Sequence, residues 1–179
     1  MNVLSLFRRL VARHESVPSI PEALVGYLVR LPRGICLMLD IDGVLHPAQS
    51  GSLRHMAVFE RWMLEHPSVD VVISSTWRET CSFVELQALF PESIRDRIIG
   101  TTPVLEGRLR EEEIALFVRH HGITQWFCVD DQIGDFPTMR DARLVATEYI
   151  RGITPDTLVA MSLHVEASFF PYQSQPCRD

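Results

Sequence analysis

The chain has 179 residues, a formal net charge of −6 and 46% hydrophobic residues. This length suits one compact domain with a substantial core. The negative charge argues against a surface that coats nucleic acid. The charge is unevenly spread, because residues 1–33 carry five arginines and two acids, whereas the remainder carries 12 arginines and 21 acids.

The cysteines and the apolar segments point to a soluble, cytoplasmic protein. The four cysteines lack the paired spacing of a zinc site, and Cys36 and Cys128 lie in apolar runs, so we interpret them as buried thiols in a reducing compartment. The amino terminus lacks the long apolar region of a secretory signal, and no segment is suited to spanning a membrane. We therefore predict no membrane partner and leave the oligomeric state open.

The first 33 residues predict a helical extension that packs on the domain. Residues 3–13 have apolar side chains at helical spacing with arginines on the other face, and residues 21–30, PEALVGYLVR, predict a second helix with proline in its first turn. The proline- and glutamine-rich end of the chain predicts a tail. We divide the chain into an extension (1–33), a domain (34–168) and a tail (169–179).

From residue 35 onward, strand and helix patterns alternate. Apolar runs predict strands at 35–39, 69–73, 97–103, 126–129 and 143–149. Other segments predict helices at 56–67, 80–89, 109–121 and 153–164, the last with Thr154 as its N-cap. The alternation predicts an α/β fold, a three-layer α/β/α sandwich with a mostly parallel central sheet.

Polar residues follow three of the predicted strands. Asp40, Asp42 and Gly43 end the first, residues 74–76 (Ser-Ser-Thr) end the second, and Asp130 and Asp131 end a later one. Right-handed crossovers gather such strand ends along one edge of a sheet. Closely spaced carboxylates repel unless a cation or a proton lies between them, and carboxylate oxygens suit Mg²⁺. The sequence therefore predicts a Mg²⁺ site there, formed by Asp40, Asp42, Asp130 and Asp131.

Such a site supports phosphoryl chemistry. With the metal bound, Asp40 would attack phosphorus and form an aspartyl-phosphate, while Asp42 would protonate the leaving oxygen and later activate water. Ser75 would donate a hydrogen bond to a phosphoryl oxygen, and an arginine would balance its charge.

Three motifs carry a family resemblance. LMLDIDGVLHP (37–47), VVISSTWR (71–78) and FCVDD (127–131) resemble the first, second and fourth motifs of the haloacid dehalogenase-like (HAD) phosphohydrolase superfamily. SSTWRE, GTTPVLEGRLREEEI and WFCVDD more narrowly resemble the HAD domain of Swiss Army Knife RNA repair proteins. The resemblance covers about residues 34–165 and implies a HAD-like Rossmannoid fold and a phosphatase, a phosphoric monoester hydrolase.

The resemblance also implies a role for each matching residue. Asp40 matches the nucleophile and a metal ligand, and Asp42 matches the acid/base residue whose backbone carbonyl binds metal. Asp130 matches the metal-binding acid, and Asp131 follows as a direct or water-mediated ligand. Ser75 is the phosphate-binding hydroxyl, with Ser74 as the alternative.

The third motif calls for a basic residue near the start of the helix before the fourth motif. Arg110 is the best match, with Arg108 and Arg78 as alternatives. The remaining predicted substrate contacts are Ser74, Thr76, Arg78 and Gly43, since Gly43 lets the chain turn tightly beside the bound group. Mg²⁺ is the implied cofactor.

The chain also resembles the capless members of the superfamily. Asp70 lies only 28 positions after Asp42. Open sites within the superfamily accept the ends of large molecules, so the resemblance implies phosphorylated RNA or DNA ends as candidate substrates. The alternatives are a small-metabolite phosphatase, a phosphotransferase and a non-catalytic HAD-like binding or regulatory module. A calcium loop is disfavoured because Gly43 is in the wrong position, and a receiver domain because its acidic pair follows the first strand.

Three side chains near the motifs have two interpretations each. His46 either contacts substrate or faces solvent in a turn, and Trp77 either packs in the core or stacks on a base. Arg78 forms either a structural ion pair or a phosphate contact.

Overall fold

The structure, a computed structural model, describes residues 22–50 and 52–169. The helix predicted at residues 3–13 and residues 170–179 of the predicted tail lie outside these ranges. The domain boundaries at residues 33 and 168 stay predictions.

Six strands form one sheet in the order β1-β4-β3-β2-β5-β6 within the described residues. All neighbouring strands are parallel except β1, which runs antiparallel to β4. This confirms the predicted mostly parallel sheet. The strands are β1 (Tyr27–Leu28), β2 (Ile35–Leu39), β3 (Val69–Ile73), β4 (Ile98–Thr101), β5 (Trp126–Asp130) and β6 (Leu144–Ala146).

Helices cover both faces of the sheet and complete the three layers. They are α1 (Glu22–Val25), α2 (Met56–Glu65), α3 (Phe83–Ala88), α4 (Glu92–Arg95), α5 (Arg110–His120), α6 (Arg140–Arg143) and α7 (Pro155–Phe169). Side chains of β2 alternate between two cores: Leu37 and Leu39 pack with residues of α2 and α7, whereas Met38 packs with residues of α5. None of the helices in the described part of the chain has the length and hydropathy to cross a membrane.

The segment between β2 and β3 contains no cap domain in its described part. A short 3₁₀ turn, Pro47–Gln49, and helix α2 are its regular elements. The capless prediction is therefore confirmed for the described residues of this segment.

The prediction of one helix over residues 21–30 is wrong beyond residue 25. Gly26 has φ +80° and ends α1, and a Cβ there would lie 2.5 Å from the Thr101 carbonyl oxygen. Tyr27 and Leu28 then pair with Thr101 and Gly100 of β4. The sequence pattern missed this strand because two residues are too few to show a period-two alternation.

The last strand and the last helix are both present as predicted, but the strand is shorter than predicted. The strand predicted at 143–149 covers only Leu144–Ala146 and is preceded by the short helix α6. The backbone N–H of Thr157 donates to Oγ1 of Thr154 at 3.2 Å, which confirms Thr154 as the N-cap of α7.

A partly buried ion pair attaches residues 30–33 to the amino end of β3. Asp70 is fully buried within β3 and accepts two hydrogen bonds of 2.7 Å from the guanidinium of Arg30. The backbone N–H of Arg33 donates to the same carboxylate at 2.7 Å. Because a buried carboxylate is unfavourable without partners, this pair fixes the path of the chain before β2.

We predict that Arg30→Ala lowers the free energy of unfolding by about 3 kcal/mol, because it leaves the buried Asp70 charge without its cation. Arg33→Ala is the matched control. It keeps the backbone N–H and removes only the exposed pair with Asp96, so its loss should stay below about 1 kcal/mol. Urea unfolding of both variants measures the difference, and equal losses would contradict the assignment.

Candidate active site

The three predicted groups of polar residues meet at the carboxyl edge of the sheet. Strand β2 pairs with β3 on one side and β5 on the other. The N–H of Asp40 donates to Val129 at 3.0 Å, and that of Ser74 donates to Leu39 at 2.9 Å. The sheet therefore brings the strand ends that carry Asp40, Ser74 and Asp130 side by side.

Arg110 lies between two of the acids. It is the first residue of α5, and its side chain is buried with those of Asp40 and Asp130. Its Nη1 donates to Asp40 Oδ1 at 3.0 Å and to Asp130 Oδ2 at 3.1 Å. Burial disfavours the charged guanidinium, but the carboxylates of Asp130 and Asp40 prevail and raise the pKa of Arg110. A fixed positive charge is thus held between the two acids.

Three carboxylates form a candidate metal site. Asp40, Asp130 and Asp131 each have an oxygen within 4.8 Å of the others. Burial and the neighbouring Asp40 charge raise the pKa of Asp130 to about 7, and the same two causes raise the pKa of Asp131. Carboxylates that resist ionisation in this way are stabilised by a cation, and hard oxygen ligands suit a divalent ion. The residues present therefore fit the predicted metal.

The carboxylate of Asp42 is not part of this group and is held separately. His46 Nδ1 lies 2.7 Å from Oδ1, and Trp77 Nε1 donates to Oδ2 at 2.8 Å. Gly43 has φ +70°, and its N–H donates to the His46 carbonyl at 3.1 Å, so the turn returns His46 to Asp42. The metal contact predicted for the Asp42 backbone carbonyl stays a prediction.

The side chains of His46 and Trp77 both contact the carboxylate of Asp42. His46 is buried rather than solvent-facing, and its ring meets the Trp77 ring edge-on at 5.9 Å. Both rings orient Asp42. His46 lies only four positions after Asp42 with a glycine between them, and this spacing could have indicated the contact. Nothing in the sequence linked Trp77 to Asp42, which lies 35 positions away.

Gly43 also makes room for Asp131. A Cβ at position 43 would lie 2.5 Å from Asp131 Cγ, so any other residue would displace this acid. The close approach gives a structural reason for glycine here. Its predicted contact with substrate stays a prediction.

Three buried hydroxyl groups at this edge have no hydrogen-bond partner among the described residues. They belong to Ser74, Ser75 and Thr102. A buried hydroxyl is unfavourable when unpaired, so each is suited to bind a ligand or a water molecule. The choice between Ser74 and Ser75 stays open because both meet this criterion. Sequence reasoning missed Thr102, which follows β4, because no pattern separates it from an ordinary loop threonine.

The arginine alternatives differ in their surroundings. Arg78 donates to Glu113 and to the backbone carbonyls of Ser74 and Pro103, and burial lowers its pKa. Arg108 is exposed and pairs with Glu112. Of the three arginines proposed for the third motif, Arg110 is the one that contacts Asp40. Thr76 is exposed beside the site, and the substrate contacts predicted for Thr76 and Arg78 stay predictions.

The fold and this site define a HAD-like domain, and membership of that superfamily indicates a hydrolase. Residues 36–158 match the family model described as "HAD domain in Swiss Army Knife RNA repair proteins". The chain belongs to this family, and the resemblance predicted from the motifs is confirmed. No curated protein and no solved structure matches the chain.

We predict that divalent-cation binding tightens as the pH rises through 7. Asp130 has a raised pKa of about 7 and must lose its proton to act as a ligand. Between pH 6 and pH 8 its ionised fraction rises from roughly a tenth to nine tenths, so the Kd should fall about tenfold. Calorimetric titration with Mg²⁺ measures this, and Asp130→Asn should bind weakly at both values. A Kd independent of pH would contradict the role of Asp130.

Proposed function

We propose that the protein is a Mg²⁺-dependent phosphatase that forms an aspartyl-phosphate on Asp40 and acts on phosphorylated nucleic-acid ends. The observation that carries this proposal is the position of Asp40, which contacts Arg110 and lies within ligand distance of Asp130 and Asp131. These three acids would hold the cation. Bound Mg²⁺ would offset the negative charge of the phosphoryl group and of the acids around it.

The reaction has two steps, in which Asp40 is the nucleophile and Asp42 transfers the protons. Asp40 Oδ1 accepts a hydrogen bond from Arg110, and the other oxygen attacks phosphorus as the bond to the leaving oxygen breaks. Asp42 protonates the leaving oxygen. It then takes a proton from the water that attacks the aspartyl-phosphate, which releases phosphate and regenerates Asp40.

The contacts of Asp42 support this proton transfer. Trp77 can only donate a hydrogen bond, whereas His46 Nδ1 donates or accepts according to its tautomer. Together they fix the orientation of the carboxyl group, so proton transfer needs no rotation of the side chain. Ser75, or Ser74, would supply a hydroxyl group to a phosphoryl oxygen.

The substrate class rests on two observations. The described part of the segment between β2 and β3 has no cap over the site, which favours the end of a large molecule. The family is named for domains of RNA repair proteins. The cytoplasmic location stays a prediction, and Cys36, Cys81 and Cys128 are free thiols, as suits a reducing compartment.

A substrate panel tests the proposal. With Mg²⁺ the protein should hydrolyse an aryl phosphate and should prefer 3′- or 5′-phosphorylated oligonucleotides to sugar phosphates and free nucleotides. Asp40→Asn should lower kcat at least a thousandfold, since the nucleophile is lost, whereas chelation should abolish turnover in the unmodified protein. Unchanged turnover in Asp40→Asn would refute the mechanism. A preference for a small metabolite would refute the substrate class, and metal binding without any turnover would favour a non-catalytic module.

We predict that His46→Ala lowers kcat roughly 10- to 100-fold with little change in KM, because Asp42 loses one of its two orienting contacts. Trp77→Phe, which removes only the N–H, should act in the same direction. Steady-state kinetics on the aryl phosphate at saturating Mg²⁺ separates kcat from KM.

His120→Ala is the matched control, because this histidine is exposed at the end of α5. It should leave both constants unchanged. A rise in KM at constant kcat in His46→Ala would instead show that His46 binds substrate.

A further inference from the structure

A groove formed by two adjoining clefts extends from Arg110, which contacts Asp40 and Asp130, toward the edge of the sheet at β1. The near cleft, about 460 Å³, includes Arg110 and Thr76 in its lining. The far cleft, about 500 Å³, is lined on its outer side by Tyr27. Both clefts share the residues Arg78, Glu79 and Val104.

The two clefts differ in the number of charged groups that line them. The lining of the near cleft carries charges of both signs, from Arg78, Arg108 and Arg110 and from Glu79, Glu106, Glu113 and Asp135. In the far cleft the charged lining residues are Arg78 and Glu79. The guanidinium of Arg78 is already bonded to Glu113 and two carbonyls, whereas Glu79 is exposed and would repel a second phosphate. The far cleft is therefore suited to an uncharged group.

The far cleft also presents a flat aromatic surface. Tyr27 is 39% exposed, and its ring packs against Phe83 with centroids 5.0 Å apart. Val104 adds an exposed apolar side chain. Thr102, whose buried hydroxyl has no hydrogen-bond partner among the described residues, also lines the cleft. A rigid ring beside a hydrogen-bonding group is the combination by which proteins hold unstacked bases.

We propose that the far cleft binds the nucleobase next to the reacting phosphate, with Tyr27 as its stacking surface. The proposal rests on the proposed function, since it places the phosphate at Asp40 and the sugar in the near cleft. Stacking depends on the face of a base rather than on its identity, so the site accepts all four bases.

Binding of two short oligonucleotides tests the proposal. Both carry a terminal phosphate, and they differ only in whether the terminal nucleotide has a base or is abasic. One such pair carries the phosphate at the 3′ end, and a second pair carries it at the 5′ end. Fluorescence anisotropy is measured with Mg²⁺ on the Asp40→Asn protein, so that no ligand is hydrolysed. The variants, all in this background, are Tyr27→Ala, Tyr27→Phe and the control Tyr149→Ala, whose side chain is similarly exposed but lies outside both clefts.

The base-bearing ligand should bind roughly 5- to 150-fold more tightly than the abasic one. Tyr27→Ala should bring this ratio close to one, and Tyr27→Phe and Tyr149→Ala should keep it. Three outcomes would overturn the proposal. The affinity ratio could be near one in the protein that keeps Tyr27, Tyr27→Ala could lose the same affinity for both ligands, or neither ligand could bind. Failure of the proposed function appears separately, as absence of turnover of the aryl phosphate, which carries no base, by the unmodified protein.

Discussion

The charge balance around Arg110 is the constraint on which the candidate site depends. Parallel pairing of β2 with β5 brings Asp40 and Asp130 together in a buried position, and Asp131 follows directly. Three ionised carboxylates and one guanidinium leave two negative charges, which is the charge of one divalent cation. Burial and the neighbouring Asp40 charge raise the pKa of Asp130 to about 7, so without a cation this acid binds a proton more readily than an exposed aspartate does.

The position of Arg110 depends in turn on how the first turn of α5 is fixed. Glu113 pairs with Arg78, which also binds the Ser74 carbonyl at the end of β3, and Glu113 accepts the N–H of Leu105 at 2.7 Å. Glu111 accepts the N–H groups of Thr138 and Met139 on the other side of the helix. Because both sides of this turn are tied down, the Arg110 side chain has little freedom to leave the acids. Arg78 thus contributes to the site through the helix, whatever else it binds.

The sequence predicted the features that depend on local pattern. Local patterns, each within about ten residues, mark the buried strands, the helices between them and the acids at strand ends. The order of strands and helices then brings Asp40 and Asp130 together. Contacts between distant segments left no such signal, as in the bond from Trp77 to Asp42 and the pairing of Arg78 with Glu113. Strand β1 was missed because its two residues owe their conformation to β4 rather than to their own pattern.

The acidic net charge and a nucleic-acid substrate are compatible if the protein binds only a chain end. Proteins that coat nucleic acid depend on many cations free to contact phosphates. Among the described residues that line the groove, Arg78, Arg108 and Arg110 each already pair with an acid. Affinity would then come from one phosphate at the metal and one stacked base, interactions that are available at a terminus. In the interior of a duplex the base is paired and stacked and no phosphomonoester exists, so the same groove would discriminate against it.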